Sequence, residues 1–113
     1  MTLNHLNLAV TDVDAASAFL VKFAGMKRAG GNSGMGFLSD GNGFMLSLMK
    51  VQGGAVEYPG FFHIGFFISS GQKIDELYAE IIADGHSATK PVQEHAYTFY
   101  VEAPGGIRVE FGA

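Results

Sequence analysis

The chain has 113 residues, 48% of them hydrophobic and 10 of them Phe, with a formal net charge of −4 when the histidines are neutral. One compact domain with a modest core is expected at that size. The scattered Lys and Arg exclude an electrostatic nucleic-acid footprint, no apolar run approaches the roughly 18 residues of a membrane span, and the lack of cysteine excludes disulfides, thiolate nucleophiles and thiolate metal sites.

The opening MTLNHLNLAV carries no basic n-region and no cleavage motif, so a signal peptide is not expected; a reducing, cytoplasmic setting fits the absence of cysteine. Leu3 to Val10 alternates as a strand, with Leu6, Leu8 and Val10 on one face and Leu3, His5, Asn7 and Ala9 on the other. DVDAASAFLVKFAG follows as a helix, its apolar stripe being Val13, Ala16, Phe19, Leu20 and Phe23. Asp12 is its expected N-cap and Gly25 its C′ residue. A short strand fits Lys27 to Gly30. GFLSDGNGFMLSLM, from Gly36, predicts strand, tight turn at SDGN, and strand. Its second strand splits into Phe44, Leu46, Leu48 against Met45, Ser47, Met49. A Gly-rich linker, GGAVEYPG, covers Gly53 to Gly60.

The same order then recurs. Phe61 to Ile68, FFHIGFFI, is expected as a strand with Phe62, Ile64, Phe66 and Ile68 opposite Phe61, His63, Gly65 and Phe67. In SGQKIDELYAEIIADG the helical stripe is Ile74, Leu77, Tyr78, Ile81 and Ile82, with Ser70 as N-cap and Gly85 at C′. A shorter strand fits Ala88 to Val92, inside a middle loop longer than that of the first half. FYVEAPGGIRVEFG, from Phe99, is a second hairpin, with Ile107, Val109 and Phe111 opposite Arg108, Glu110 and Gly112. His5 and His63 align 58 residues apart and the hairpins 63 apart. The chain is therefore α+β, two tandem βαβββ modules over about 1–52 and 61–113.

In both halves a uniformly apolar face can meet the helix. The opposite, mixed faces carry His5, His63, Glu110, Arg108 and Ser47 beside Leu3, Phe61, Phe67, Met45 and Met49, the composition of a lined cup. Two imidazoles and one carboxylate can form a facial metal triad with open coordination positions. The same three groups can equally form a hydrogen-bonded polar cluster, and spacing leaves both readings open.

LNHLNLAVTD, FFHIGFFI and TFYVEAPGGIRVEF together resemble the vicinal oxygen chelate superfamily, also called glyoxalase/bleomycin resistance/dioxygenase proteins, over essentially the whole chain. The resemblance implies half-barrel sheets with helices on the outer face. It implies metal ligands at His5, His63 and Glu110, a divalent ion (Fe, Mn, Ni or Zn), a small-molecule substrate with adjacent oxygens, and a homodimer whose shared cup joins His5 to His63 and Glu110 across the interface. It implies no nucleic-acid or membrane partner.

Two departures bear on the chemistry. The closing turn is Ala103-Pro104-Gly105-Gly106, where the family usually has Asp-Pro-Asp-Gly; the change is expected to tune the turn and leave the chemistry in place. Ser47 stands where glyoxalase I enzymes use a carboxylate or amide, and a serine is a poor ligand and a poor base. Fosfomycin-resistance transferases and extradiol dioxygenases are then the nearer likenesses. Lys90 and Tyr100 match phosphonate-contacting positions of the former, although PVQEHAY shows no potassium-binding loop. For the latter, His95, Tyr97 and Tyr100 are candidates near the metal. Expected substrate-binding residues are Asn7, Ser47, Phe67, Lys90, Tyr100 and Arg108, and expected catalytic candidates are Tyr100 and His95. Arg108 can serve as a cation for an anionic substrate or as a salt-bridge partner orienting Glu110. His95 is expected in a solvent-exposed loop, and His86 as a solvated cation at a helix end. The alternative function is a non-catalytic, antibiotic-type binding protein of the bleomycin-resistance kind.

Overall fold

Alternation of apolar and polar residues fixes which side of each strand is buried, and two sheets result. The computed structural model describes residues 1–113. Its elements are β1 (His5–Val10), α1 (Val13–Ala24), β2 (Lys27–Asn32), β3 (Met35–Ser39), β4 (Met45–Lys50), β5 (Ile64–Phe67), α2 (Gly71–Ala83), β6 (Ser87–Ala88), β7 (Val92–Gln93), β8 (Tyr97–Ala103) and β9 (Ile107–Gly112). The fold is mixed α+β, with a four-stranded sheet ordered β1-β4-β3-β2 and a five-stranded sheet ordered β5-β9-β8-β6, in which β7 also pairs with β8. The chain divides into two compact units, Met1–Glu57 with Pro104–Gly106, and Tyr58–Ala103 with Ile107–Ala113.

In the N-terminal unit β1 runs parallel to β4, and β3 pairs antiparallel with both β2 and β4. Leu8, Val10, Leu38, Leu46 and Leu48 are buried with Val13, Ala16, Phe19, Leu20 and Phe23 of α1, the expected stripe. Each such side chain contributes about 1.5–3 kcal/mol of burial. Asp12 caps α1 by accepting from the Ala15 N–H at 3.0 Å, and Gly25 ends it at φ 67°, a left-handed conformation that suits glycine. A Cβ on Gly36 would lie 3.0 Å from Val13 Cγ1 and 3.1 Å from Ser17 Oγ, so β3 and α1 approach as closely as they do because Gly36 has no side chain. The Pro104–Gly106 turn belongs to this unit. Gly105 has φ 91°, and a Cβ there would stand 3.2 Å from Val10 Cβ and 3.1 Å from Ala16 Cβ. Its carbonyl accepts from the Thr11 N–H at 3.0 Å. The glycine that replaces the family's usual acidic residue is thus the one with no room for a side chain.

In the C-terminal unit β5 runs parallel to β9, and β8 is antiparallel to β9. Ile74 and Ile81 of α2 are buried with Phe99, Val101, Ile107, Val109 and Phe111, and the rings of Phe99 and Phe111 lie 5.6 Å apart. Tyr97 Oη donates to Asp75 Oδ1 at 2.5 Å, joining β8 to α2. The helix ends as a Schellman turn, His86 N–H to Ile81 C=O and Gly85 N–H to Ile82 C=O, as the glycine predicts. Ser70 has the extended N-cap backbone, but its side chain makes no capping hydrogen bond.

Four local expectations are corrected. β1 starts at His5 rather than Leu3, because its ladder partner begins at Met45, opposite His5. β5 starts at Ile64 rather than Phe61, because the Phe62 N–H turns back to the Pro59 carbonyl; His63 precedes the strand. The strand expected over Ala88 to Val92 is broken into β6 and β7. Thr89 bonds to Tyr100 through both its N–H and its hydroxyl, and Pro91 has no N–H to extend the ladder. Ile82, expected on the buried stripe, is 42% exposed.

Candidate metal and substrate site

The C-terminal unit gathers most of the expected site on one face of its sheet. Glu110 lies mid-strand in β9, opposite Gly65 of β5 and Tyr100 of β8, and is only 4% exposed. Burying a carboxylate costs several kcal/mol unless it is compensated. Two histidines approach it. His63 Nε2 stands 3.4 Å from Oε1, and His95 Nε2 stands 2.9 Å from Oε2. The His95 contact is close but poorly directed, and Oε2 is a buried atom without a hydrogen-bond partner.

The tautomer of His63 sharpens the chemistry. Its Nδ1 lies 3.0 Å from the Phe61 carbonyl oxygen, which can only accept, so Nδ1 carries the hydrogen. In the neutral ring Nε2 is then a bare lone pair, and it faces a carboxylate oxygen. Two acceptors facing each other need a proton or a cation between them. The donor set therefore suits a divalent ion: a lone pair held in place by a backbone partner, and a buried carboxylate oxygen lacking a partner. No three His, Asp or Glu side chains are already drawn together at ligand spacing.

His5 repeats the arrangement in the N-terminal unit. Its Nδ1 lies 2.8 Å from Asn4 Oδ1, an acceptor, so its Nε2 is likewise left as a lone pair. It opens β1 and is exposed. Asn7 and Ser47 form a ladder pair in the same sheet, and Asn7 Nδ2 donates to Met49 Sδ at 3.0 Å.

Tyr100 and Arg108 join His63 around a cavity of about 350 Å³, lined also by Gly60 and Phe61. The Tyr100 ring meets the His63 ring edge-on, with centroids 5.3 Å apart. Burial, then a hydrogen bond to and the charge of Glu110, push the Tyr100 phenol above its ordinary range, so it stays protonated and can donate. Arg108 bonds through Nε to Glu102 Oε1 at 2.7 Å and through Nη1 to the Gly60 carbonyl at 2.8 Å. Its salt bridge is with Glu102 across the β8–β9 ladder, not with Glu110. Phe67 is 56% exposed, and its ring covers Gly112 so closely that a Cβ there would meet Cζ at 2.9 Å. Lys90 is exposed on the β6–β7 connection, and His86 pairs with Asp84 at 3.0 Å instead of standing as a lone solvated cation.

Sequence reasoning placed His95 in an exposed loop and did not foresee its contact with Glu110. The turn that brings it there closes through Glu94 N–H to Ala96 C=O at 2.9 Å, between β7 and β8. The signal available was the position of His95 beside a strand pairing directly with β9.

The Glyoxalase/Bleomycin resistance protein/Dioxygenase superfamily model matches residues 2–111, and the chain belongs to that superfamily. Among solved structures it is similar to a possible glyoxalase from Bacillus cereus, with 41% identity, TM-score 0.91, and coverage of 100% of this chain and 99% of that one. The fosfomycin resistance protein FosX from Listeria monocytogenes shares the fold at 22% identity and TM-score 0.84, covering 100% of this chain and 93% of that one. FosX has also been solved with Mn(II) and sulfate, and that structure matches at 23% identity and TM-score 0.82, covering 99% of this chain and 89% of that one. No curated protein matches the chain. No helix is long and apolar enough to cross a membrane.

Proposed function

We propose that this protein is a metal-dependent enzyme acting on a small molecule with adjacent oxygens. His63 and Glu110 are metal ligands, and His5 completes a 2-His-1-Glu triad. The observation that carries this reading is the His63 Nε2 lone pair facing the buried Glu110 carboxylate, which an ion would resolve. A bound divalent ion would act as a Lewis acid on the substrate oxygens, and the binding of Mn(II) by the fold relative FosX favours such an ion here.

The chain's own groups supply the rest. The protonated Tyr100 donates a hydrogen bond to an oxygen gaining negative charge. Arg108, held by Glu102 and the Gly60 carbonyl, lends positive charge to the cavity wall for an anionic substrate. Phe61 and Phe67 offer apolar contact. Asn7, Ser47 and Lys90 are further substrate contacts, and His95 stands beside Glu110 as an acid or base. His5 is supplied by the N-terminal unit of a partner chain in a homodimer, and the protein works in the cytoplasm.

Metal content after dialysis against divalent ions, compared with His63→Ala, tests the reading. Near-stoichiometric metal that the variant loses supports it. No metal in either protein, with no ion raising the melting temperature, refutes it. The exposed Phe61 and Phe67 would then favour antibiotic-type binding without catalysis, detectable as saturable ligand binding by the metal-free protein.

A further inference from the structure

We infer that His95 is an additional protein ligand of the same metal, so that the C-terminal unit itself supplies three donors: His63, His95 and Glu110. The inference rests on the metal-site reading above and adds a residue outside the triad. His95 Nε2 lies 2.9 Å from Glu110 Oε2, closer to the carboxylate than His63 Nε2 at 3.4 Å from Oε1. Ligand atoms about 2.0–2.2 Å from one ion and at right or tetrahedral angles lie on the order of 3 to 3.5 Å apart, so both contacts fall near that separation. The two imidazoles address different oxygens of one carboxylate. On the His95 side that oxygen is buried and lacks a hydrogen bond, although an N–H aimed at it would have satisfied it. The nitrogen and oxygen meet as neighbouring ligands do, without the direction of a hydrogen bond. Ser47, at the position where some relatives place a fourth ligand, offers only a hydroxyl, and an imidazole from the β7–β8 turn is the better donor. The His95 side chain is 56% exposed and lies on a turn, so its rotation about the side-chain bonds can gather it with His63 and Glu110 at little cost.

Cobalt-loaded protein provides the test. Each imidazole bound to paramagnetic Co(II) gives one strongly shifted, solvent-exchangeable ring N–H proton resonance. His5→Ala, His63→Ala, His95→Ala and His95→Gln are compared with the parent, with Co(II) affinity measured by calorimetry and metal-free melting as the folding control. The expected result is three shifted N–H resonances in the parent, one of which disappears in both His95 variants. Their Co(II) affinity falls at least tenfold, while their metal-free melting is unchanged. Two resonances in the parent, both retained with full affinity in the His95 variants, overturn the inference and leave the metal-site reading intact. Failure of the parent to bind Co(II) overturns both.

Discussion

Two sheets built on one plan treat their matched positions differently. In the N-terminal unit Asn7 faces Ser47 across the parallel β1–β4 ladder; in the C-terminal unit Gly65 faces Glu110 across β5–β9. The first pair is neutral, and Asn7 satisfies itself on a methionine sulfur. The second sets a carboxylate opposite a residue with no side chain, leaving space that two imidazoles enter. The strand path and the helix-facing core are shared, yet only the second unit buries a charge. Chemistry here is installed by a few side chains on the mixed face, while the apolar face holds the scaffold.

The largest effects should come from that scaffold. Phe111→Ala, at a fully buried ring, should cost about 3–5 kcal/mol and Leu48→Ala about 2–5 kcal/mol, read by urea unfolding. Comparable losses in one cooperative transition would show that the units unfold together, and two transitions would separate them. Metal removal is expected to act through the C-terminal unit. At a free ion concentration a hundred times Kd, a chelator should remove about 2.7 kcal/mol of stability from the parent and nothing from Glu110→Gln; an equal loss in both would sink the assignment of Glu110.

In metal-free protein the order reverses. Glu110→Gln should stabilise by about 1–3 kcal/mol, because it removes a buried charge whose Oε2 lacks a partner and gives the His63 lone pair a donor. The matched Ser47→Ala should stay within roughly 0.5 kcal/mol. Thermal melts of both variants without metal check the contrast, and a destabilised Glu110→Gln would mean that the carboxylate is already paid for by a proton on His63. Arg108→Ala should cost less than about 1 kcal/mol, since its bridge to Glu102 is partly exposed; weaker binding of anionic over neutral ligands by this variant would mark its part in the cavity.

The smallest effect concerns alkaline pH. The hydrogen bond to Asp75, then burial, holds the Tyr97 phenol above its ordinary 10.0. Below pH 10 both folded and unfolded chains keep that proton and the contribution is intact. Above it the unfolded phenol ionises first, so stability falls as pH rises toward the folded value. Tyr97→Phe should flatten that decline, and Asp75→Asn should bring the Tyr97 titration, followed by phenolate absorbance, back toward its ordinary range.

From the residues alone the two-fold repeat, both helices, the buried stripe of α1, the Gly25 and Gly85 helix ends and the split of each strand into apolar and mixed faces were legible, because these depend on period and on local backbone preference. The mixed-face positions of His63 and Glu110 followed from the same alternation. Strand ends did not follow, since β1 and β5 begin where their ladder partners and the Phe62 turn allow. Nor did the breaking of one short strand into β6 and β7 around Thr89, nor the pairing of Arg108 with Glu102. The approach of His95 to Glu110 depended most on tertiary structure. It joins residues fifteen positions apart through the pairing of β7 with β8 and of β8 with β9. A contact across two ladders is set by register, which no local pattern around His95 encodes.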